Sequence, residues 1–410
     1  MLSSLRLRHL CTAATTATST NAVNSTSSMS ISKVKSKLRS EFDPDKALQI
    51  YSSVSGKDSS LLSTRYLQDL TVRRLAKSQR FADIENLIEA QKKDPKIEQE
   101  PFVSTLIRSY GQAGMFDQAL RTYEQMGQFG ASRTVISFNA LLSACTRSKL
   151  YGKVPVLFND VLSKYGVLPD SVSYGILIKS YCEAGMPEKG VERLREMEEK
   201  GVEVSAVTYT TLVSAFYKKG KSEEAERLWS EMVQKGCELD VAAYNVKVMH
   251  AQSGEPEKVK AIMDEMGSLG LKPDTISYNY LIISYCKSGM MEEAEKVYKS
   301  LEEYGCKPNA STFRTLVHYL CKEGEYEKGY KIFKESVRVH KIPEFAILKG
   351  LVEGLVAKKK MKEAKGLIRT IKKKYPPNLL NAWKKVEENL GLTSANDSNP
   401  EVREDQEAAV

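Results

Sequence analysis

The chain has 410 residues, of which 28% are charged and 8% aromatic, a composition suited to helices in water and a length too great for one compact core. The formal net charge is +9, and no apolar run reaches the roughly 18 residues a membrane span requires. Seven cysteines fall without a C-x-x-C pair or a His/Cys cluster, which argues against a disulfide scaffold and against a metal site.

Residues 1–30 are basic, amphipathic and rich in Ser, Thr and Ala, and the first acid is Glu41. This pattern predicts an organelle transit peptide. Arg6 and Arg8 favour the mitochondrion over the chloroplast and break the apolar run a secretory signal would need. The alternative is an unstructured leader with no address. Residues 31–64 read as a worn first hairpin, with Asp43 capping a helix that has Pro44 in its first turn. Arg65 is a weak start of a degenerate unit, as expected where one end of a stack meets water.

From Glu100 the chain repeats. Starts at Glu100, Val135, Ser171, Ala206, Val241, Thr275, Ala310 and Phe345 recur every 34 to 36 residues, the period of a helical-hairpin array. Residues 275–309 show the unit. Tyr278, Leu281, Ile282 and Tyr285 form an i, i+3, i+4, i+7 stripe on a first helix. Gly289 offers a left-handed cap. Ala294, Val297, Tyr298 and Leu301 make a second stripe, Glu292 and Lys296 an i,i+4 pair, and Gly305 and Pro308 end the unit. One hairpin cannot bury both stripes, so neighbours must. Cys182, Cys286 and Cys321 share one repeat position and Cys237 and Cys306 another, which reads as packing. His318 is expected on a packed or half-buried face. Residues 380–390 read as a closing helix, and residues 391–410 as a disordered acidic tail.

The recurring SYGILIKSYCEAG at Ser173, TYTTLVSAFYKKG at Thr208 and SYNYLIISYCKSG at Ser277, with loop ends such as Lys272-Pro273-Asp274, resemble the pentatricopeptide repeat family in its plain P-class form, over residues 65–379. The tetratricopeptide signature is missing. The resemblance implies an all-α fold, a right-handed α-solenoid of about nine to ten helix-turn-helix repeats. It also implies RNA binding, one base per repeat, on the concave side lined by first helices. Short members of this kind are similar to subunits of plant mitochondrial ribosomes.

The resemblance assigns base edges to the fifth and last residues of each repeat. Asn139 with Asp170 and Asn245 with Asp274 resemble uridine readers, Thr210 with Asp240 a guanosine reader, and Asn279 with Asn309 a pyrimidine reader. Ile136, Val172, Val207 and Ile276, at the second position, would pack on base planes or, in the plainer reading, on neighbouring repeats. Gly175 with Ser205 is off-pattern, as are Ser104 with Thr134, Arg314 with Glu344, Lys349 with Leu379, and Asp69 with Gln99. The repeat at Val241 is one residue short, which threatens its register. The implied tract U-x-G-U-C/U would occur about once in 128 random nucleotides, too often to select one transcript.

Residues 356–376 carry nine Lys and Arg against the single acid Glu363, while the repeat body is nearly neutral. Lys358, Lys359, Lys360, Lys362 and Lys365 are therefore candidate phosphate contacts, against the plainer reading of a solvated helix face. No catalytic motif, phosphate loop or deaminase-type H-x-E with paired C-x-x-C is found. The expectation is a non-enzyme with no cofactor, no metal and no small-molecule substrate. Its partner is organellar mRNA or rRNA, with ribosomal proteins as further partners and no membrane. Three readings stay open: a free RNA adapter, a structural ribosomal subunit, and a protein–protein scaffold.

Overall fold

Each apolar stripe predicted above needs a second helix to cover it, and the structure, a computed structural model, supplies one for every stripe. It describes residues 31–53, 61–252, 254–375, 377 and 380–392; the expected leader and the tail beyond residue 392 lie outside these. Among the described residues there are twenty-one α-helices and no strand. The first hairpin is α1 (Ile31–Ser40) with α2 (Pro44–Ser52), and the next is α3 (Leu61–Lys77) with α4 (Phe81–Gln91). The first helices that follow are α5 (Glu100–Gln112), α7 (Val135–Arg147), α9 (Ser171–Glu183), α11 (Ala206–Lys218), α13 (Val241–Ala251), α15 (Thr275–Lys287), α17 (Ala310–Lys322) and α19 (Phe345–Ala357). Their second helices are α6 (Phe116–Glu124), α8 (Val154–Tyr165), α10 (Pro187–Glu199), α12 (Ser222–Gln234), α14 (Pro256–Ser268), α16 (Met291–Ser300), α18 (Tyr326–Arg338) and α20 (Met361–Lys374). The chain closes with α21 (Asn381–Asn389).

All eight starts from Glu100 to Phe345 coincide with the first residue of a first helix. The weak start at Arg65 does not: α3 begins four residues earlier, at Leu61. Asp43 caps α2 by accepting from the Asp45 and Lys46 amides, with Pro44 next to it. Gly289 sits at φ +74°, where a side chain would be strained. Two expectations are corrected locally. Lys296 pairs with Glu293 at 2.6 Å rather than with Glu292. Leu392 is buried and its amide donates to Glu387 O, so ordered packing runs past the expected edge of the tail.

Successive first helices pack on one another from α3 through to α19, and second helices pack outside them on their own first helix and, in most repeats, the following one. The result is a two-layer α-solenoid. Its core is periodic. The fourth residue of the first helix is a buried aromatic in Phe138, Tyr174, Tyr209, Tyr244 and Phe313. A buried tyrosine needs a partner for its hydroxyl, and the second helix provides an acid: Tyr174 to Glu196 at 2.8 Å, Tyr209 to Glu231 at 2.9 Å, Tyr244 to Glu265 at 2.7 Å. Among first helices, α5 and α7 approach so closely that a Cβ on Gly111 would stand 2.4 Å from the Ala144 Cα.

Candidate nucleic-acid interface

The first-helix layer has one side against the second helices and one side open. Its open side is built by a repeated cap. Asp170 precedes α9; its carboxylate accepts from the Ser173 amide at 2.8 Å, and its own amide donates to Ser173 Oγ at 3.3 Å. That is a capping box, and it satisfies amides that otherwise have no helical partner. The same cap binds the preceding repeat: Asn139 Nδ2 donates to Asp170 Oδ1 at 3.0 Å, and Ser173 Oγ donates to Asn139 Oδ1 at 2.6 Å.

The unit recurs. Asn245 Nδ2 donates to Asp274 Oδ1 at 3.1 Å, with Ser277 Oγ on Asn245 Oδ1 at 2.7 Å. Asn279 Nδ2 donates to Asn309 Oδ1 at 3.2 Å, with Thr312 Oγ1 on Asn279 Oδ1 at 2.6 Å. The three asparagines are buried; each has one amide hydrogen left to offer. Burial pushes the Asp170 carboxyl up, but the bonds from Asn139 and Ser173 outweigh it and hold it below its ordinary value. The short repeat at Val241 keeps its register at this end. Its α13 has 11 residues against 13 in its neighbours, and the loss falls at the C-terminal end, away from Asn245.

Thr210 and Asp240 are not joined. Thr210 Oγ1 donates to Val207 O at 3.1 Å. Asp240 accepts from the Ala243 amide at 2.8 Å, and Ala243 stands where Ser173, Ser277 and Thr312 supply a hydroxyl. The off-pattern positions each do something else. Arg314 pairs with Glu344 at 3.2 Å. Lys349 reaches Glu353 at 3.5 Å, and Leu379 lies outside the described residues. At Thr134 the side chain accepts from the Ile136 amide at 3.2 Å, and Glu100 adds a second cap, its carboxylate accepting from the Thr134 amide at 2.7 Å and the Ser137 amide at 3.0 Å. Gly175 has open space before it, and with Val172, Ser205 and Val207 it lines a cavity of about 350 Å³.

The second-position residues are largely open to solvent. Ile136 is 45% exposed, Val172 54%, Val207 70% and Ile276 45%. The four form a periodic row of exposed β-branched apolar side chains along the first helices. His318 is corrected likewise: it is exposed, edge-on to Tyr319 at 5.0 Å.

The expected phosphate contacts do not join this row. Lys358 and Lys359 follow the C-terminal end of α19 and Lys360 precedes α20. A 13-residue helix is about 20 Å long, so these lysines sit at the far edge from the second and fifth positions. Lys360 is also engaged by Glu327 at 2.5 Å, and Lys362 and Lys365 belong to the second-helix layer. Cations that the sequence reading passed over lie on the helical face of this row: Arg108 and Lys179 at the ninth position and, towards the same far edge as Lys358, Arg147, Lys218, Lys287 and Lys322 at the thirteenth. All but the half-buried Arg108 are exposed. Burial and the nearby Arg65 guanidinium depress the Arg108 pKa. The signal was present as a basic residue at the ninth or thirteenth position of six first helices, on the helical face of residues two, five and nine.

A model of the PPR repeat family matches residues 133–183, 169–218, 204–247 and 273–322, and a PPR repeat model matches residues 103–130 and 311–338. The chain is 58% identical over 99% of its length to 98% of the small ribosomal subunit protein mL103 (rPPR7) of Arabidopsis thaliana. It is 53% identical over 89% of its length to 87% of a mitochondrial pentatricopeptide repeat-containing protein of the same plant. Among solved structures, the repeat protein PPR10 from maize aligns with 88% of this chain and 59% of its own at 18% identity, with a TM-score of 0.42.

Proposed function

This chain belongs to the pentatricopeptide repeat family, and from that premise we propose that it is a mitochondrial RNA-binding protein, itself non-catalytic, that holds single-stranded RNA or rRNA along the open side of its first helices. The observation that carries this is the exposed apolar row of Ile136, Val172, Val207 and Ile276, set beside the Asn139–Asp170, Asn245–Asp274 and Asn279–Asn309 pairs. An apolar side chain covers a base plane, and an adjacent amide and carboxylate offer a donor and an acceptor to its edge. Arg147, Lys179, Lys218 and Lys287 lie on the same face and supply the sequence-independent attraction for phosphates. Recombinant full chain and oligonucleotides carrying or lacking the U-x-G-U-C/U tract test this by fluorescence anisotropy. Preference for the tract, lost in the Ile136→Glu and Ile276→Glu double variant, is the expected result; equal binding of every sequence by that variant and the wild type removes the reading.

A second reading is that the bound RNA is rRNA and the protein a structural subunit of the mitochondrial ribosome. The full-length likeness to mL103 favours it, while the likeness to a relative without a ribosomal name keeps the adapter reading in view. Sedimentation of a mitochondrial lysate separates them. Co-migration with a ribosomal subunit after a high-salt wash assigns the structural role. Recovery in light, RNase-sensitive fractions assigns the adapter. Light fractions insensitive to RNase would point to a protein scaffold instead.

A further inference from the structure

The cations near the C-terminal end form a stripe with no internal purpose. Lys362, Lys365, Arg369 and Lys373 follow one another at steps of three, four and four residues, so they share one face of α20. The opposite face holds Ala364, Leu367, Ile368 and Ile371, all buried against α19. The stripe therefore points away from the first-helix layer. It runs about 16 Å along the helix, and Lys358 and Lys359 extend it at the N-terminal end. None of these six has an ion-pair or hydrogen-bond partner among the described residues. Elsewhere in the outer layer many cations are neutralised, as Arg195 is by Glu231, Lys219 by Glu188, Lys260 by Glu257 and Lys296 by Glu293, and those without a partner among the described residues, such as Lys189 and Arg227, do not form a run of four on one helix face. Within α20 the inward-turned Lys372 follows that rule, pairing with Glu387 at 2.7 Å.

We propose that the outer face of α20 is a second RNA-binding surface, which holds the phosphate backbone of a double-helical RNA segment distinct from the strand on the first helices. Two packed layers of helices separate the two faces, roughly 20 Å with side chains included, so one short strand cannot occupy both. Like charges left unpaired along a helix attract a polyanion through release of its counterions. No stripe position on α20 is aromatic; beside it stand Met361, 38% exposed, and the half-buried Tyr330 of α18, whose hydroxyl rather than its ring face approaches Gly366. A protein partner would call for an apolar centre and few lysines. A duplex, with bases stacked inside and phosphates outside, asks only for charge. The protein then bridges two RNA elements, which deepens the RNA-binding reading above and rests on it only for the occupant of the first face.

The test uses the full chain and two labelled probes: a single-stranded RNA with the U-x-G-U-C/U tract, and a duplex RNA of about 16 base pairs lacking it. The variant carries Lys362→Gln, Lys365→Gln, Arg369→Gln and Lys373→Gln, with Lys362→Arg, Lys365→Arg and Lys373→Arg as the charge-keeping control. The expected result is at least a tenfold loss of duplex affinity and a shallower salt slope in the Gln variant. Single-strand affinity should stay within twofold, the Arg control should bind the duplex as the wild type does, and unlabelled duplex should not displace the single strand. Mutual displacement of the probes, or equal weakening of both, would mean one shared site and overturn the proposal. So would a wild type that ignores the duplex, or stripe-dependent binding of polyglutamate with none of duplex, which would assign the face to an acidic protein. Failure of the first-face reading shows separately, as tract-independent single-strand binding.

Discussion

Phe42 and Tyr375 pack ring against ring, with centroids 5.1 Å apart and planes at 58°, although one lies before α2 and the other directly after α20. The Arg74 guanidinium covers the Phe42 ring at 4.3 Å, and Lys77 of α3 shares a cavity of about 340 Å³ with Pro343, Phe345, Tyr375 and Trp383. The stack of hairpins thus turns far enough for its last repeat to meet its first. An aromatic pair and a cation–π contact contribute about 1–2 kcal/mol together. Phe42→Ala with Tyr375→Ala should cost about that much in urea unfolding and let the ends part. Small-angle scattering should show a larger maximum dimension; an unchanged profile would mean the inter-repeat packing alone sets the closure.

The Asn139 and Asn279 pairs differ in one charge, and the difference is measurable. Asn139→Asp would set a second carboxylate beside Asp170, where like charges and burial both oppose ionisation. The expected cost is on the order of 2–4 kcal/mol at neutral pH. The folded-state pKa of the new group is raised, so its penalty is present above that pKa and relieved as pH falls through it. Asn279→Asp meets the uncharged Asn309 and should cost about 1 kcal/mol, with little recovery in acid. Equal penalties in both variants would show that the caps are not coupled to the fifth-position side chains.

These pairs also show how far the sequence could be read. The eight helix starts were legible because each is a local event, a cap followed by an apolar stripe at fixed period. The Asn–Asp spacing located the pairs, but not the Ser173, Ser277 and Thr312 hydroxyls that close them, because a hydroxyl three residues into a helix reads equally as an ordinary cap. Glu100 as a second cap of α7 was invisible for the opposite reason: it acts across a whole repeat. The Phe42–Tyr375 contact depends on rotations summed over every hairpin, and no periodicity encodes that sum. The lysines from Lys358 to Lys365 were found by charge density, which says nothing about which layer carries them.

Gly111 fixes the closest approach of two first helices. The atom that a Gly111→Ala side chain would meet is the Ala144 Cα, with Ala144 Cβ at 2.5 Å, so backbone rather than a rotamer must move. Overpacking of this kind costs about 1–3 kcal/mol. Because coupling along the stack runs through adjacent repeats, hydrogen exchange should speed up in α5 and α7 and leave α13 to α17 unchanged. Uniform acceleration along the chain would contradict nearest-neighbour coupling.

Arg195 and Glu231 tie α10 to α12 in the outer layer, with Arg195 Nη2 on Glu231 Oε2 at 2.7 Å, and Lys235 adds to the network by pairing with Glu198 of α10 and, at 2.8 Å, with Glu231. The Arg195 bond outweighs burial and holds the Glu231 carboxyl at about 2. A depressed folded-state value means that the stabilisation is complete above the ordinary carboxylate value of about 4.3 and is lost as pH falls from there towards 2. Arg195→Met should therefore lower stability at pH 7 and narrow the gap to the wild type as pH falls to 3. The difference should not exceed about 1 kcal/mol, since Arg195 is 42% exposed and water screens the pair. A gap that widens in acid would reverse the sign of this linkage.

Thr210 and Asp240 offer the sharpest test of base reading, because the cap there is incomplete. Thr210→Asn supplies an amide for Asp240, as Asn139 does for Asp170. Its carbonyl oxygen, however, would face Ala243 with no hydroxyl to accept from, and a buried acceptor without a partner costs about 1–3 kcal/mol. The new amide should then be poorly held, and the preference at the third base of the tract should move only partly from guanosine to uridine. Adding Ala243→Ser restores the missing donor on the pattern of Ser173 and Ser277. The double variant should prefer uridine at that base by about tenfold, and should be more stable than the single variant by about 1 kcal/mol. Anisotropy with two RNAs differing only at that base measures the first effect, and urea unfolding the second. If stability is regained while the preference stays with guanosine, the fifth position closes the helix cap and does not read the base. If the single and double variants prefer uridine equally, the hydroxyl at position 243 has no part in holding the reader.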